Sequence, residues 1–560
     1  MTAGTLGDSD LLLMSAILVP LVLGLAALKP WVRRWGPTLA LVAPLPALAV
    51  VLLVPVGQSV LLVPPPFRLT LALDAPGALL LGGAALLWLL AGIYARAYLK
   101  DDPERGAFSV WWLLTMAGAF AVFLVADVAS FYLAYALVSF AAYGLAAHDD
   151  TAEARRAGRV YLALTVLGEA LLIAAFVMLA SSVSGANPLI RDAVAGVAQS
   201  PWRGAILGLL LVGFTMKMGL FPLHVWMPLA HAVAPVPGSA VLSGIVVKAG
   251  VIGLIRFLPA DMPLAQWGMA LLAAGLFTAF YGVAIGLTQS HPKRALAYST
   301  VSQMGVVAAV LGAGLAAGDA AAPSLAAFYA LNHMLLKGAM FLAVGVAMAS
   351  GPRHLRLVLI GAAVLGLSLA GLPFTGGALA KYAVKAPVGE GVAGVLLALS
   401  AGGTTLLMAR YVLLLAARGK GADPAAGEAE APPALLVPWA VLSGAAVLLP
   451  FALFTPVTGL GLGGLFSLDG IIKGLWPVAL GLAVAALLYQ KPHKVSEIPA
   501  GDILALTQGL GPALRGLLSA AVRLDAGLRH WSSAALALVL VMVALAVAMG
   551  EPQWLQPLWP

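Results

Sequence analysis

The stretch FTMKMGLFPLHVWMPLAHAV, Phe214 to Val233, decides how the chain is read. It lies inside long apolar sequence, yet it carries a lysine, two histidines and two prolines, residues that a bilayer-spanning helix should avoid. Around it the composition is that of a membrane protein: 62% of residues are hydrophobic and 10% charged. A soluble domain carries roughly 25% charged residues. The apolar runs recur along the whole length, which predicts one polytopic domain, since a span needs about 20 mainly apolar residues. There is no cysteine, so this chain builds no disulfide, iron–sulfur or thiolate–zinc site. Basic residues exceed acidic ones, 31 to 23, but no basic run interleaves with aromatics. Nucleic-acid binding is therefore not expected.

About 16 spans are predicted, starting near Leu11, Pro37, Leu79, Ser109, Val128, Val160, Trp202, Pro237, Ala265, Ala295, Ser324, Arg356, Val392, Leu436, Leu475 and Ser532. The first apolar run follows Asp8 and Asp10 and lacks a basic leader, so no cleavable signal is expected. Loops after odd-numbered spans hold 20 of the 31 basic residues; loops after even-numbered spans hold six. Basic loops stay in the cytoplasm. Both termini are thus expected outside, in the plasma (inner) membrane of a prokaryote.

The other five basic residues, Lys217, Lys248, Lys337, Lys381 and Arg410, fall within spans. Arg410 lies near a span end, where it can snorkel. The four lysines lie deeper. A charge at the bilayer centre costs at least about 2.5–3.5 kcal/mol, and such residues face a bundle interior or a hydrated cavity. Burial disfavours the charged form of a lysine, which suits it to gain and lose a proton. A structural ion pair is the competing reading for any one of them.

Two spans are also broken. GLFP (Gly219 to Pro222) interrupts the seventh, and GLPFTGG (Gly371 to Gly377) the twelfth. Proline frees a backbone carbonyl and kinks a helix, and irregular backbone at membrane depth survives only where protein or water satisfies it. The breaks are five spans apart. Spans four to eight and nine to thirteen would then be two copies of a five-helix unit, the second inverted. Paired broken helices in two halves point to a transport site.

These residues resemble the antiporter-like subunits of respiratory complex I, of the multisubunit Mrp cation/proton antiporters and of group 4 membrane-bound hydrogenases. FTMKMGLFPLHVWMPLAHAVAPVPGSAVLSGIVVKAGVIGL resembles that family's core signature. KRALAYSTVSQMG (Lys293 to Gly305), NHMLLKGAMFL (Asn332 to Leu342) and LAGLPFTGGALAKY (Leu369 to Tyr382) resemble three further motifs in the same order. The resemblance implies an all-α fold: a 14-helix core with two inverted five-helix repeats, broken helices 7 and 12, and proton half-channels. The expected divisions are 1–108, 109–258 (first repeat), 265–417 (second repeat), a flexible linker over 418–435, and 436–560. Within the last, residues of about 501–530 form an amphipathic helix on the membrane face, with Ile503, Leu506, Leu510, Leu514, Leu517, Val522, Leu524 and Leu528 apolar.

By position, the resemblance assigns Lys217 to the first broken helix, Lys248 to a central relay, His333 and Lys337 to the eleventh span and Lys381 to the second broken helix. His224 and His231 are placed in the short half-helix and the loop after the first break. His333 and Lys337 are at i and i+4, on one helix face, and imidazole titrates near about 6.5, which suits a proton path. A metal reading of His224 and His231 lacks any carboxylate or thiolate partner, so no metal is expected. Two departures stand out. Ala136 occupies the place of the family's fifth-span glutamate, and Leu229 stands where many relatives carry an aspartate. Glu169, a lone carboxylate in span six, is the candidate counter-charge for Lys217. No nucleotide, nucleophile or dinucleotide motif appears, so no cofactor and no catalytic centre are expected in the chain itself. The expected function is proton translocation within an energy-converting complex, such as an NADH/quinone oxidoreductase or a membrane-bound hydrogenase. The expected partners are other membrane subunits, the lipid bilayer and protons, with sodium as an alternative ion. Membership of a cation/proton antiporter or ion-coupled uptake complex, or a structural role with a degenerate first half-channel, are the alternatives.

Overall fold

The computed structural model describes residues 7–183, 187–419, 431–489, 496–507 and Ser519. The pattern of apolar runs becomes a bundle of long helices. Among the described residues thirteen are long and apolar enough to cross a membrane: Asp8–Ala26, Gly36–Leu53, Ala75–Tyr98, Arg105–Leu124, Val128–Ala146 and Ala152–Ala180 are spans 1 to 6, and Val236–Phe257 is span 8. Ala265–Leu287, Pro292–Ala317 and Ala322–Met348 are spans 9 to 11, Val392–Ala417 lies in span 13, and Pro433–Thr458 and Leu468–Tyr489 are spans 14 and 15. Spans 7 and 12 are each built from two shorter helices, Arg203–Met218 with Trp226–Val233, and Pro352–Ala370 with Gly376–Ala383. The sixteenth expected span, near Ser532, lies outside the described residues.

The helices begin and end where capping chemistry dictates. Asp74, Asp127, Thr151 and Thr375 each cap a helix by accepting a backbone N–H three residues on. Both breaks open with a left-handed glycine, Gly219 at φ +77 and Gly371 at φ +95, a conformation that other residues adopt only at a cost. The core is deepest in spans 8, 10 and 11, and spans 8 and 11 carry Lys248, His333 and Lys337 within it. Close approach of spans 9 and 10 rests on small residues: a Cβ on Gly275 would lie 2.5 Å from the Ala309 nitrogen, and one on Gly282 2.7 Å from the Ser302 nitrogen.

Two details differ from an all-helical expectation. A two-stranded antiparallel hairpin, Ser59–Val63 with Leu69–Ala72, joins spans 2 and 3. The expected linker over 418–435 is narrower, because the helix of span 13 runs to Gly419 and span 14 starts at Pro433. On the face reached by even-numbered loops, Arg256 at the end of span 8 pairs with Asp74 at 2.9 Å and donates to the carbonyls of Val122, Phe123 and Val125. That fork ties three helix ends together. Among the described residues no interior lysine makes a comparable ion pair.

Candidate functional site

The first break places Lys217 one residue before the last of its helix, with Gly219 turning the chain away. Its ammonium donates to Ser139 Oγ at 2.9 Å and to Tyr161 OH at 3.2 Å, and lies 5.3 Å and 5.9 Å from the ring centroids of Tyr161 and Tyr135. Tyr161 in turn donates to the Ser139 carbonyl at 2.7 Å. Ser139 is three residues beyond Ala136, so the serine on the same helical face holds the lysine where the glutamate is missing. Glu169 makes no direct ion pair with Lys217 among the described residues. Both line one cavity of about 20 Å³ with Ser139, Tyr161 and Thr165. A single water needs roughly 10–15 Å³ in this measure. Both Glu169 oxygens are buried without a hydrogen-bond partner among the described residues, so a bridging water has polar groups to satisfy on both sides.

Span 8 contributes the central group. Residues Leu242–Val246 form a π-helical turn just before Lys248, and such turns occur frequently at functional sites. The Lys248 ammonium approaches the Ser243 carbonyl at 3.0 Å and His333 Nδ1 at 2.7 Å. With Nδ1 accepting from the lysine, the ring proton is assigned to Nε2, which is buried and unpartnered among the described residues. Along span 11, Tyr329, His333, Lys337 and Phe341 recur every four residues and share a face. Tyr329 donates to Gln303 Oε1 at 2.5 Å, and Gln303 Nε2 donates to Thr404 Oγ1 at 3.0 Å. Lys337 donates to the Leu296 carbonyl at 2.6 Å and sits 5.7 Å from the Phe341 ring centroid, on which His231 stacks at 4.8 Å.

Lys248 and His333 therefore meet directly, and Lys337 and His231 flank one aromatic ring. Lys217 forms a separate cluster with Glu169. Lys381 stands apart: its aliphatic chain lies against Gly371, where a Cβ would come within 2.7 Å of its Cδ. Among the described residues no hydrogen bond or ion pair holds its ammonium. The histidine placements need correction. His224 lies within the break itself, between the two helices, and His231 lies in the short helix Trp226–Val233. Pro222, Gly219 and a run of turns lengthen the break beyond what the glycine–proline signal suggested. His224 does not approach His231; its Nε2 lies 3.4 Å from Asp502 Oδ1. Arg410 reaches the carbonyl of Gln289 at the end of span 9, at 3.0 Å, in agreement with snorkelling.

Sequence reading missed Ser139, Tyr161, Ser243, Gln303, Tyr329, Tyr281 and Asp502. The polar residues within apolar runs were visible. Their pairing joins helices far apart in the chain, and helical periodicity carries no such information.

Buried lysines, a histidine in line with one of them, and helices broken near that depth define a class: multi-pass membrane proteins with an ionisable interior. Residues 125–406, half of the chain, match the family described as NADH:quinone oxidoreductase/Mrp antiporter, TM, and the chain belongs to that family. It is 28% identical to hydrogenase-4 component B of Escherichia coli K12, over 50% of this chain and 44% of that protein. It is 32% identical to a Na(+)/H(+) antiporter subunit of Bacillus subtilis 168, over 52% and 39%. The chain thus spans less than half the length of these relatives. The Mrp complex from Dietzia sp. DQ12-45-1b shares the fold at a TM-score of 0.68 and 23% identity, over 96% of this chain and 62% of that one. An archaeal membrane-bound sulfane sulfur reductase shares it at 0.65 and 19%, over 85% of this chain and 99% of that one. The fold is the antiporter-like core with helices 7 and 12 broken.

Proposed function

We propose that this chain is the proton-translocating membrane subunit of a multisubunit energy-converting complex in a prokaryotic plasma membrane, with its odd-numbered loops in the cytoplasm. The observation that carries this reading is the buried contact between Lys248 and His333. A proton on the Lys248 ammonium is passed to His333 Nδ1, leaving a neutral amine and an imidazolium. The imidazolium releases its Nε2 proton on the far side of the ring. The two groups would not both carry charge at once, because like charges 2.7 Å apart in a buried setting oppose each other. Lys337, on the same face of span 11, receives or supplies the next proton through water. Lys217 with Glu169, and Lys381, would load and unload this axis at the two breaks.

The test is proton uptake by the intact complex in proteoliposomes. His333→Ala and Lys337→Ala are each expected to remove translocation while partner subunits still co-purify. Unchanged translocation in both would end the relay reading. A second reading, cation/proton antiport, is favoured by the similarity to the Na(+)/H(+) antiporter of Bacillus subtilis. It predicts that a sodium or potassium gradient alone drives proton movement through the complex, which the leading reading does not.

A further inference from the structure

The segment after span 15, residues 496–507, returns to the bundle as a strap across the loop that follows span 9. Glu497 pairs with Arg294 at 3.1 Å and accepts from Ser290 at 2.6 Å. The Ile498 carbonyl accepts from Gln289 Nε2 at 2.9 Å. Gly501 then turns with φ +78, and a Cβ there would lie 3.2 Å from Leu229 Cδ1, so glycine lets the strap close on the short helix after the first break. The next residue, Asp502, is 5% exposed and begins the helix Asp502–Thr507.

Its carboxylate does not face solvent. Oδ2 accepts from the hydroxyl of Tyr281, Oδ1 accepts from the Ile503 N–H at 2.8 Å, and Oδ1 lies 3.4 Å from His224 Nε2. Tyr281 is six residues before the end of span 9 at Leu287, about 9 Å along the helix at 1.5 Å per residue. The strap therefore delivers a carboxylate below the membrane face. His224 is fully buried, and among the described residues neither ring nitrogen has a well-aligned hydrogen bond. Its other neighbours are the rings of Phe221, Tyr281 and Tyr298. Tyr281, Tyr298 and Asp502 are thus the titratable groups facing it, with Glu497 and Arg294 further out on the strap. Among the described residues beside it, only Asp502 bears a formal charge near neutral pH. Burial tends to raise the Asp502 pKa, but the contacts from His224, Tyr281 and its own backbone outweigh burial and hold it below the usual carboxylate value.

We propose that Asp502 is the counter-charge that lets His224 hold a proton, so that the strap completes a proton inlet at the first helix break. This rests on the proton-relay reading above. A proton from water binds His224 Nε2, the imidazolium is matched by the Asp502 carboxylate, and the proton then leaves toward the interior while Asp502 stays ionised. A strap that only fastened the C-terminal segment would need shape at position 502 and not charge.

Asp502→Asn and Asp502→Glu separate the two, measured as proton translocation against pH in the intact reconstituted complex. Asp502→Asn keeps the shape and loses the charge. It should lower translocation about tenfold at pH ~8 and about threefold or less at pH ~6, because an unmatched imidazolium forms only when protons are abundant. Asp502→Glu should keep most of the rate and the wild-type profile. An Asp502→Asn complex with wild-type rate and profile, or an assembled Asp502→Glu complex that fails while Asp502→Asn works, overturns the proposal. If Asp502→Asn does not assemble, Asp502→Glu decides alone: a retained rate supports a required carboxylate, and a lost rate in an assembled complex overturns it. Lys337→Ala run alongside keeps the two levels apart. Loss there with an unaffected Asp502→Asn ends only the inlet, whereas translocation unchanged in both Lys337→Ala and His333→Ala ends the relay itself.

Discussion

The two broken helices hold their lysines in different ways. At the first break Lys217 is fastened by two hydroxyl acceptors, lies near two aromatic faces and shares a water-sized cavity with a carboxylate. At the second, Lys381 is mostly buried, packs its methylenes on Gly371 and has no anion beside it among the described residues. The same local device, a helix stopped by a left-handed glycine, thus sets one lysine in a polar cage and leaves the other without a polar partner among the described residues. A caged lysine has its charge shared among fixed partners. A buried lysine without such partners depends on water for its proton.

The largest effect should come from removing each lysine in turn. Lys381→Ala is expected to abolish translocation in the reconstituted complex, and Lys217→Ala to lower it at least about tenfold, each interior charge being costly to place and hard to replace. If Lys217→Ala leaves the rate intact while Lys381→Ala removes it, the first break is a structural remnant and the comparison becomes one of working and idle halves. Next in size is the counter-charge. Glu169→Gln should lower translocation severalfold, and Ala136→Glu in that background should restore it, placing a carboxylate one helical turn from Ser139. A Glu169→Gln complex at the wild-type rate would show that the cage needs only its hydroxyls.

The glycines sharpen the contrast. Gly219→Ala and Gly371→Ala each force a left-handed backbone on a residue with a Cβ, a cost of about 1–2 kcal/mol. At Gly219 the new methyl meets the terminal carbon of Met227 at 2.5 Å, the far end of a flexible side chain; at Gly371 it meets the stem of Lys381 itself at 2.7 Å. Thermal unfolding should therefore shift similarly in both, while translocation falls more in Gly371→Ala. Equal activity losses would mean that Lys381 has room to move aside. The most local effect concerns the docking of the strap. Asp502 has a folded pKa below its unfolded value of about 3.9. Its contribution to docking is fully present above that unfolded value and is lost as pH falls through the lower folded one. Hydrogen-exchange protection over residues 496–507, relative to the intrinsic rate at each pH, should thus be high at pH 7 and lower near pH 3, with the first break following it.

Much of this was legible in the chain. Composition and the asymmetry of Lys and Arg between odd and even loops gave the spans, and every expected start within the described residues falls in a helix or beside one. The breaks were legible because Gly219, Pro222, Gly371 and Pro373 alter the backbone locally. Lys217, Lys248, Lys337 and His333 were legible because an ionisable group in an apolar run is costly wherever it points. What failed was finer. The glycine–proline signal ends at Pro222 and so puts His224 in a half-helix, whereas the turn runs on to Val225. The hairpin between spans 2 and 3 was missed because its strands are short and flanked by prolines.

The sequence by itself determined that helices cross an apolar medium, where they stop, and which residues cannot be left facing lipid. Those are properties of single residues and of short windows, and the bilayer enforces them one segment at a time. Only the tertiary structure decided who meets whom: Ser139 in place of the missing glutamate, His333 in line with Lys248, Gln303 between Tyr329 and Thr404, and Asp502 brought back across 278 positions of sequence to His224. Such contacts depend on helix rotation and on the route of loops. These are set by how small residues let helices approach, as where Gly275 and Gly282 bring span 9 against span 10.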